Sequence, residues 1–271
     1  MSGVHDLSPF ETIAARVRFV LVEPSHPGNV GAAARAVKTM GFGELVLVHP
    51  RHATVREEPE AIAMASGADD VLAAARIVDD LDAALAGVQW SLALSARPRE
   101  YGPPLLGPRE AGAQGAAVAA QGGGVALVFG NERTGLANHD VERCRAIAHI
   151  PANPAYSSLN LAQAVQVLAY EMRLACLDAA RLSASAPATP GLPGSAGAES
   201  DAGASAEDIA GMFGHLEAAL VRLDFLDPAN PKKLMSRLRQ LFARTALTRE
   251  EVNIFRGIAK HVLARCRDDR Q

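Results

Sequence analysis

A chain of 271 residues is long enough to bury a full core and to form two domains. Its formal charge of −3 masks a basic stretch, because residues 222–267 hold eleven Lys or Arg against four Asp or Glu, the footprint of a surface that meets a polyanion such as nucleic acid. Three scattered cysteines argue against a disulfide framework or a CxxC metal site, and the eight histidines show no metal-ligand spacing. No apolar run has the length of a signal peptide core or a membrane span, so the composition points to a soluble, cytoplasmic protein with no metal and no membrane partner.

Along the chain, Arg18 to Val22 predicts a strand, followed by a Pro/Gly loop and a helix from about Asn29 to Met40 that Gly41-Phe42-Gly43 stops. Leu45 to Val48 predicts the next strand and completes a βαβ opening. Within that helix Asn29 takes the N-cap position, Gly31 leaves room for another backbone or a ligand, and Arg35 sits on the second turn. Neither GxGxxG nor GxxxxGK[ST] is present, so no dinucleotide or nucleoside triphosphate site is expected.

Glu57 to Ala65 and Asp70 to Ala86 read as helices, and Trp90 to Leu94 as a strand that ends in the polar loop Ser95-Ala96-Arg97-Pro98. After Leu105 an Ala/Gly-rich stretch predicts a helix and a turn. Two further strands follow, Val125 to Phe129 and Ala146 to Ile150, the first breaking into Gly130 to Gly135 and the second into Pro151 to Asn160. A long helix is expected from Ser158, a good N-cap, to about Ala180, with Leu161, Val165, Leu168 and Met172 at helical spacing. The alternation predicts an α/β fold with a mainly parallel sheet covered on both faces.

Residues 183–206 are almost entirely Ala, Ser, Gly and Pro and predict a flexible linker, since they carry too little apolar surface to offset their ordering entropy. Beyond it Glu207 to Leu223, Pro231 to Arg244 and Arg249 to Arg267 carry helical periodicity, with Asn230-Pro231 and Thr248 as helix starts. The expected organisation is an α/β domain over 1–182, the linker over 183–206, and a small all-α basic domain over 207–271.

In open α/β sheets, ligands bind beyond the carboxyl ends of the strands. Four polar segments meet that condition here: Asn29 with Arg35, the Ser95 loop, Gly130-x-Glu132-x-x-Gly135, and Ser157-Ser158-Leu159-Asn160. Each could be turn or cap chemistry alone; together on one sheet they predict a pocket.

These residues resemble the SPOUT class of S-adenosylmethionine-dependent RNA methyltransferases and, within it, the TrmJ branch. The resemblance is carried by Phe19 to Pro24 with Pro27-Gly28-Asn29-Val30-Gly31 through Ala36 and Lys38 to Phe42, by Phe129 to Leu136, and by Ile150-Pro151 with Tyr156 to Leu161. Less sharply, Phe225 to Pro228 and Pro231-Lys232-Lys233 are similar to the helical extension of that branch. What the resemblance implies is a deep C-terminal trefoil knot, which ordinary topology rules would exclude, and a homodimer with the site near the subunit interface. It further implies methylation of the ribose 2′-hydroxyl of cytidine or uridine at tRNA position 32. It assigns cofactor contacts to Ser95, Ala96, Arg97, Gly130, Ile150, Ser157, Ser158 and Leu159, and the catalytic arginine to Arg35, with Asn29, Glu132 and Asn160 as companions.

On chemical grounds Arg35 is expected to bind the target hydroxyl and the adjacent phosphate rather than act as base, since a guanidinium with pKa above about 12 holds its proton. Glu132 is expected to orient loops and Arg35. The basic helices, with Lys232, Lys233 and Arg237 as candidate contacts, are expected to track tRNA phosphates. A ribose methyltransferase acting on ribosomal RNA or on another tRNA position, and a non-catalytic RNA-binding dimer, are the alternative readings.

Overall fold

The computed structural model describes residues 7–96, 103–185, 203–243, 245 and 247–268. A short helix α1 (Pro9–Ala14) opens the chain, closed by a capping box in which Ser8 and Glu11 exchange hydrogen bonds. Residues 8–11 carry the Ser-x-x-Glu signature of this start, in a helix not among the elements expected from the sequence.

Strand β1 (Val17–Val22) leads to helix α2 (Pro27–Thr39) and strand β2 (Glu44–Val48). Pro27, pre-set for the first helical position, starts α2 two residues before the expected Asn29, so Asn29 lies inside the first turn and is not the N-cap. As expected the helix stops at Gly41-Phe42, whose N–H groups close on the carbonyls of Lys38 and Val37. Helix α3 (Pro59–Ala65) crosses α2 so tightly that a Cβ on Gly31 would lie 1.9 Å from the Ala61 carbonyl oxygen. The room at Gly31 is therefore taken by a backbone and not by a ligand.

The single helix expected over Asp70 to Ala86 is three elements: α4 (Asp69–Ala74), β3 (Arg76–Val78) and α5 (Leu81–Leu85). Arg76-Ile77-Val78 pairs with β2 as an edge strand, and Asp80 caps α5 through the Ala83 N–H. A three-residue strand is too short to leave an alternating pattern, and its partner supplies the reason it is extended.

Strand β4 (Val88–Leu94), the two-residue strand β5 (Leu105–Leu106), helix α6 (Pro108–Ala120) and strand β6 (Gly124–Phe129) follow. Next come helix α7 (Asn138–Glu142), strand β7 (Ala146–Ala148) and helix α8 (Leu161–Ser185). Ile150 therefore lies past its strand, in the loop. Helix α8 starts three residues later than Ser158, with Asn160 as the cap, and continues three residues into the expected linker. Residues 186–202 of that linker lie outside the described residues.

All seven strands pair in parallel, in the order β3-β2-β1-β6-β4-β7-β5. Alternate residues of β1 face opposite layers. Phe19 and Leu21 pack with α2, α3, α6 and α8, whereas Val20 and Val22 pack with α5 and α7. This is the two-sided burial that makes parallel strands near-continuous apolar runs. The knot that the resemblance implies would be formed by the segments between Val125 and Ala180, which hold β6, α7, β7 and most of α8.

The helical C-terminal region comprises α9 (Ala206–Arg222), α10 (Leu234–Ala243) and α11 (Arg249–Asp268). Thr248 caps α11 as expected, exchanging hydrogen bonds with Glu251, but α10 starts three residues beyond Pro231. The region packs on the α5 and α7 side of the sheet. Arg145, just before β7, donates to the carbonyls of Thr245 (3.4 Å) and Ala204 (3.3 Å), and Ser236 donates to Glu142 at 2.9 Å.

Candidate active site

Three loops at the carboxyl edge of the sheet enclose a cavity of about 160 Å³. The end of β4 and the loop after it contribute Leu94, Ser95 and Ala96, and the end of β6 with its loop contributes Phe129 to Leu136. The segment between β7 and α8 adds Ile150, Ser157, Ser158 and Leu159. Seven of the eight residues that the resemblance assigned to cofactor binding thus line one space; the eighth, Arg97, lies outside the described residues. Ser95 is held in place because its N–H donates to the Ala148 carbonyl at 3.0 Å, which ties the β4 loop to β7.

Gly130 shows why the loop after β6 has its sequence. A Cβ there would lie 2.2 Å from the backbone of Gly135 and Leu136, so the loop can fold back on itself only with glycine at 130. Gly135 takes φ +70°, and its N–H donates to the Asn131 carbonyl at 2.8 Å to close the turn.

The turn holds Glu132 in a cradle of four donors. Oε2 accepts from the Ser25 N–H (2.9 Å) and hydroxyl (2.7 Å), and Oε1 accepts from the His26 N–H (3.2 Å) and from Asn29 Nδ2 (2.9 Å). Burial works to raise the pKa of this carboxyl, but the hydrogen bonds from Asn29 and Ser25 outweigh it and hold it below the usual glutamate value. Glu132 is therefore an ionised acceptor with its lone pairs filled, poorly suited to take a proton near neutral pH.

That acceptor sets the direction of a longer chain. Because the carboxylate can only accept, Asn29 presents its NH2 to Glu132 and turns its Oδ1 outward; Asn160 Nδ2 donates to this oxygen at 2.9 Å. Asn160 then has its own Oδ1 left to cap α8, accepting from the N–H of Ala162 at 2.9 Å. One relay ties the loop after β6, the first turn of α2 and the start of α8. The three companions named in the sequence meet, and the expected plain cap at Asn29 is replaced by a bridge.

Arg35 does not join them. It stands exposed on α2, outside the cavity wall, and forms no side-chain hydrogen bond or ion pair among the described residues. Glu132 consequently does not orient Arg35 within one chain. In the helical region Lys232, Lys233 and Arg237 are exposed and line one groove with Phe225, Leu226, Asp227, Asn230 and Pro231. Lys232 adopts φ +48° at its rim.

The buried thiols take no part in this site: burial pushes Cys144 and Cys176 each up to about 12. Among the described residues no group of three His, Cys, Asp or Glu gathers to hold a metal ion, and no helix is long and apolar enough to cross a membrane. Sequence reasoning missed Ser25, the double donor to Glu132; only its place in the Pro24-Ser25-His26-Pro27 loop hinted at a role.

Residues 16–170 match the SpoU rRNA Methylase family, and residues 207–271 match the C-terminal domain of the tRNA methyltransferase TrmJ. The chain is 46% identical over 243 residues to the tRNA (cytidine/uridine/adenosine-2′-O-)-methyltransferase TrmJ of Pseudomonas aeruginosa, covering 90% of this chain and 92% of that one. A crystal structure of TrmJ from Z. mobilis ZM4 superposes with a TM-score of 0.74 at 31% identity, covering 92% of this chain and 99% of the other. The structure of a probable methyltransferase from Bordetella pertussis is 53% identical with a TM-score of 0.58, covering 61% of this chain and 99% of that one. The chain belongs to the SpoU methylase family and, through its helical C-terminal region as well, to the TrmJ branch of that family.

Proposed function

We propose that this protein transfers a methyl group from S-adenosylmethionine to the ribose 2′-hydroxyl of cytidine or uridine at position 32 of the tRNA anticodon loop. The observation that carries this reading is the convergence of seven assigned residues on one cavity, bordered by the Glu132–Asn29–Asn160 relay. The activity of the Pseudomonas aeruginosa relative supports the substrate class.

The wall suits a largely neutral nucleoside. Leu94, Phe129, Ile150 and Leu159 offer apolar surface for a flat ring, and the hydroxyls of Ser157 and Ser158 with the loop backbones offer hydrogen bonds. When bound, S-adenosylmethionine supplies an electrophilic methyl carbon on a sulfonium. The protein's own task is to hold the ribose oxygen in line with that carbon and to favour loss of the hydroxyl proton.

Arg35 serves that task as an electrostatic donor, binding the alkoxide as its charge develops together with the neighbouring phosphate, while the proton leaves to water or a phosphate oxygen. Its exposed, unpaired position outside the cavity of its own chain supports delivery from a second copy, so the working unit is read as a homodimer. Exposed Tyr170 and Leu174, one turn apart on α8, supply apolar surface for such a contact. Residues 1–182 carry the reaction and 207–271 hold the tRNA, with Lys232, Lys233 and Arg237 on its phosphates.

The test is methyl transfer from labelled cofactor to separate tRNA and ribosomal RNA pools, followed by mapping of the modified nucleotide. Label on the ribose of a pyrimidine at position 32 is the expected result. Label confined to ribosomal RNA overturns the substrate assignment. Mixing Arg35→Ala protein with a cavity-filling Ser158→Trp protein addresses the dimer, since random exchange between two-fold dimers restores up to about a quarter of the sites only if Arg35 acts across the interface. No recovery in the mixture rejects that arrangement.

A further inference from the structure

The carboxyl ends of β1, β2 and β6 enclose a second basin that abuts the cavity and shares Asn131, Arg133 and Thr134 with it. Glu23, Ser25, His49 and Arg51 complete its wall. Its floor is tied across all three strand ends: the Glu23 N–H donates to the Val48 carbonyl (2.8 Å), the Arg51 N–H to the Pro24 carbonyl (3.1 Å), and Asn131 Nδ2 to the Glu23 carbonyl (2.6 Å). Glu23 and His49 both hold left-handed backbone, at φ +49° and +44°, which non-glycine residues seldom adopt unless the surroundings impose it.

On this rigid floor stand two exposed guanidiniums, Arg51 and Arg133. Neither forms a side-chain hydrogen bond or ion pair among the described residues, whereas Arg18 and Arg76 share Glu44 and Arg143 holds Asp82. Of the carboxylates nearby, Glu132 is satisfied by its four donors, leaving Glu23 as the one acid in the basin wall. Two unneutralised, fork-shaped donors on a concave surface beside a methyl-transfer cavity suit a phosphodiester. Neither residue belongs to the set assigned to cofactor or catalysis.

We propose that this basin binds the backbone of the substrate RNA strand next to the target ribose, with Arg51 and Arg133 gripping a flanking phosphate. The inference rests on the reading of the protein as an RNA methyltransferase and adds to it the place where the acceptor strand is registered. Phosphate contacts fix the position of a strand without reading its bases, so the basin governs placement and not base choice.

The full-length protein tests this through Arg51→Gln and Arg51→Lys, with cofactor affinity by calorimetry, tRNA affinity across salt concentrations, and steady-state methylation. Arg51→Gln is expected to raise Kd and KM for tRNA about tenfold while kcat and cofactor affinity stay at wild-type values, and to reduce the salt slope by about one. Arg51→Lys keeps the charge and is expected to restore the slope. Arg133→Gln shifts tRNA affinity in the same direction and covers the case in which the first variant fails to fold. Wild-type tRNA affinity and salt slope in both glutamine variants overturn the proposal. Should the wild-type protein transfer no methyl to tRNA, the enzymatic reading fails alone, because the loss of RNA affinity on Arg51→Gln is measured without turnover.

Discussion

The two regions of this molecule are built to different tolerances. The α/β region closes tightly around its strands: β1 is buried on both faces, α2 meets α3 at a glycine, and the loop after β6 has no space for a methyl group at Gly130. The helical region rests on a handful of fully buried side chains (Met212, Phe213, Leu247 and Val252 among them), edge-on aromatic contacts from Phe213 to Phe242 to Phe255, and a helix α10 with no buried residue. A cavity for a small ligand needs its walls held to fractions of an ångström, whereas a surface that tracks a phosphate backbone works through charge over longer distances. The difference in packing matches the difference between the tasks proposed for the two regions.

The contrast breaks most severely at Gly130. Gly130→Val forces a side chain into the backbone of residues 135 and 136, and we expect a loss of roughly 3 kcal/mol or more in thermal or denaturant melts, together with loss of cofactor binding by calorimetry. Unchanged cofactor affinity in this variant would mean that the loop does not wall the site.

Glu132→Gln tests the relay. It puts an amide NH2 among groups that already donate and should cost about 1–3 kcal/mol. Its pH dependence has a definite sign. Because the folded carboxyl titrates below its usual value, its stabilisation is complete above the unfolded pKa of about 4.3 and is lost as the pH falls through the folded value. Wild-type and Gln melting temperatures should therefore converge in that acidic window; a constant gap down to the lowest pH would remove the charge from the explanation.

A smaller effect is expected at Asn160→Ala, where the cap of α8 and the bridge to Asn29 go together, at about 1–2 kcal/mol. An Asp substitution restores the cap but not the donated bond, and so separates the two contributions by its melting temperature.

The helical region should respond in the opposite manner. Changing Lys232, Lys233 and Arg237 together to Gln should leave stability within about 0.5 kcal/mol, as exposed sites do. The same change should weaken tRNA binding and flatten its salt dependence by up to about 0.9 for each phosphate that is no longer neutralised. Unchanged tRNA affinity would show that this groove is not the gripping surface.

Much of this was legible in the linear order of residues because it depends on neighbours in the chain. The apolar runs of β1, β2 and β6, the stop at Gly41, the cap at Thr248 and the polar loops after the strands all follow from local rules. Errors arose where a distant partner decides. Arg76-Ile77-Val78 is a strand because β2 lies beside it, and β5 is recognisable only through β7. Asn29 has the chemistry of a helix cap, yet Pro27 starts the helix and Glu132, more than a hundred positions away, claims its side chain.

Residue order alone thus determined the class of fold, the basic C-terminal region and the identity of the loops that could meet at the sheet edge, since period, turn chemistry and charge are properties of short segments. Tertiary structure decided which atoms of those loops face one another: that Glu132 is an anchored anion instead of a base, that Asn29 and Asn160 transmit its polarity to α8, and that Arg35 and the Arg51–Arg133 pair stand without partners among the described residues. Hydrogen-bond direction and the pairing of charge depend on positions in space, and no local rule supplies those.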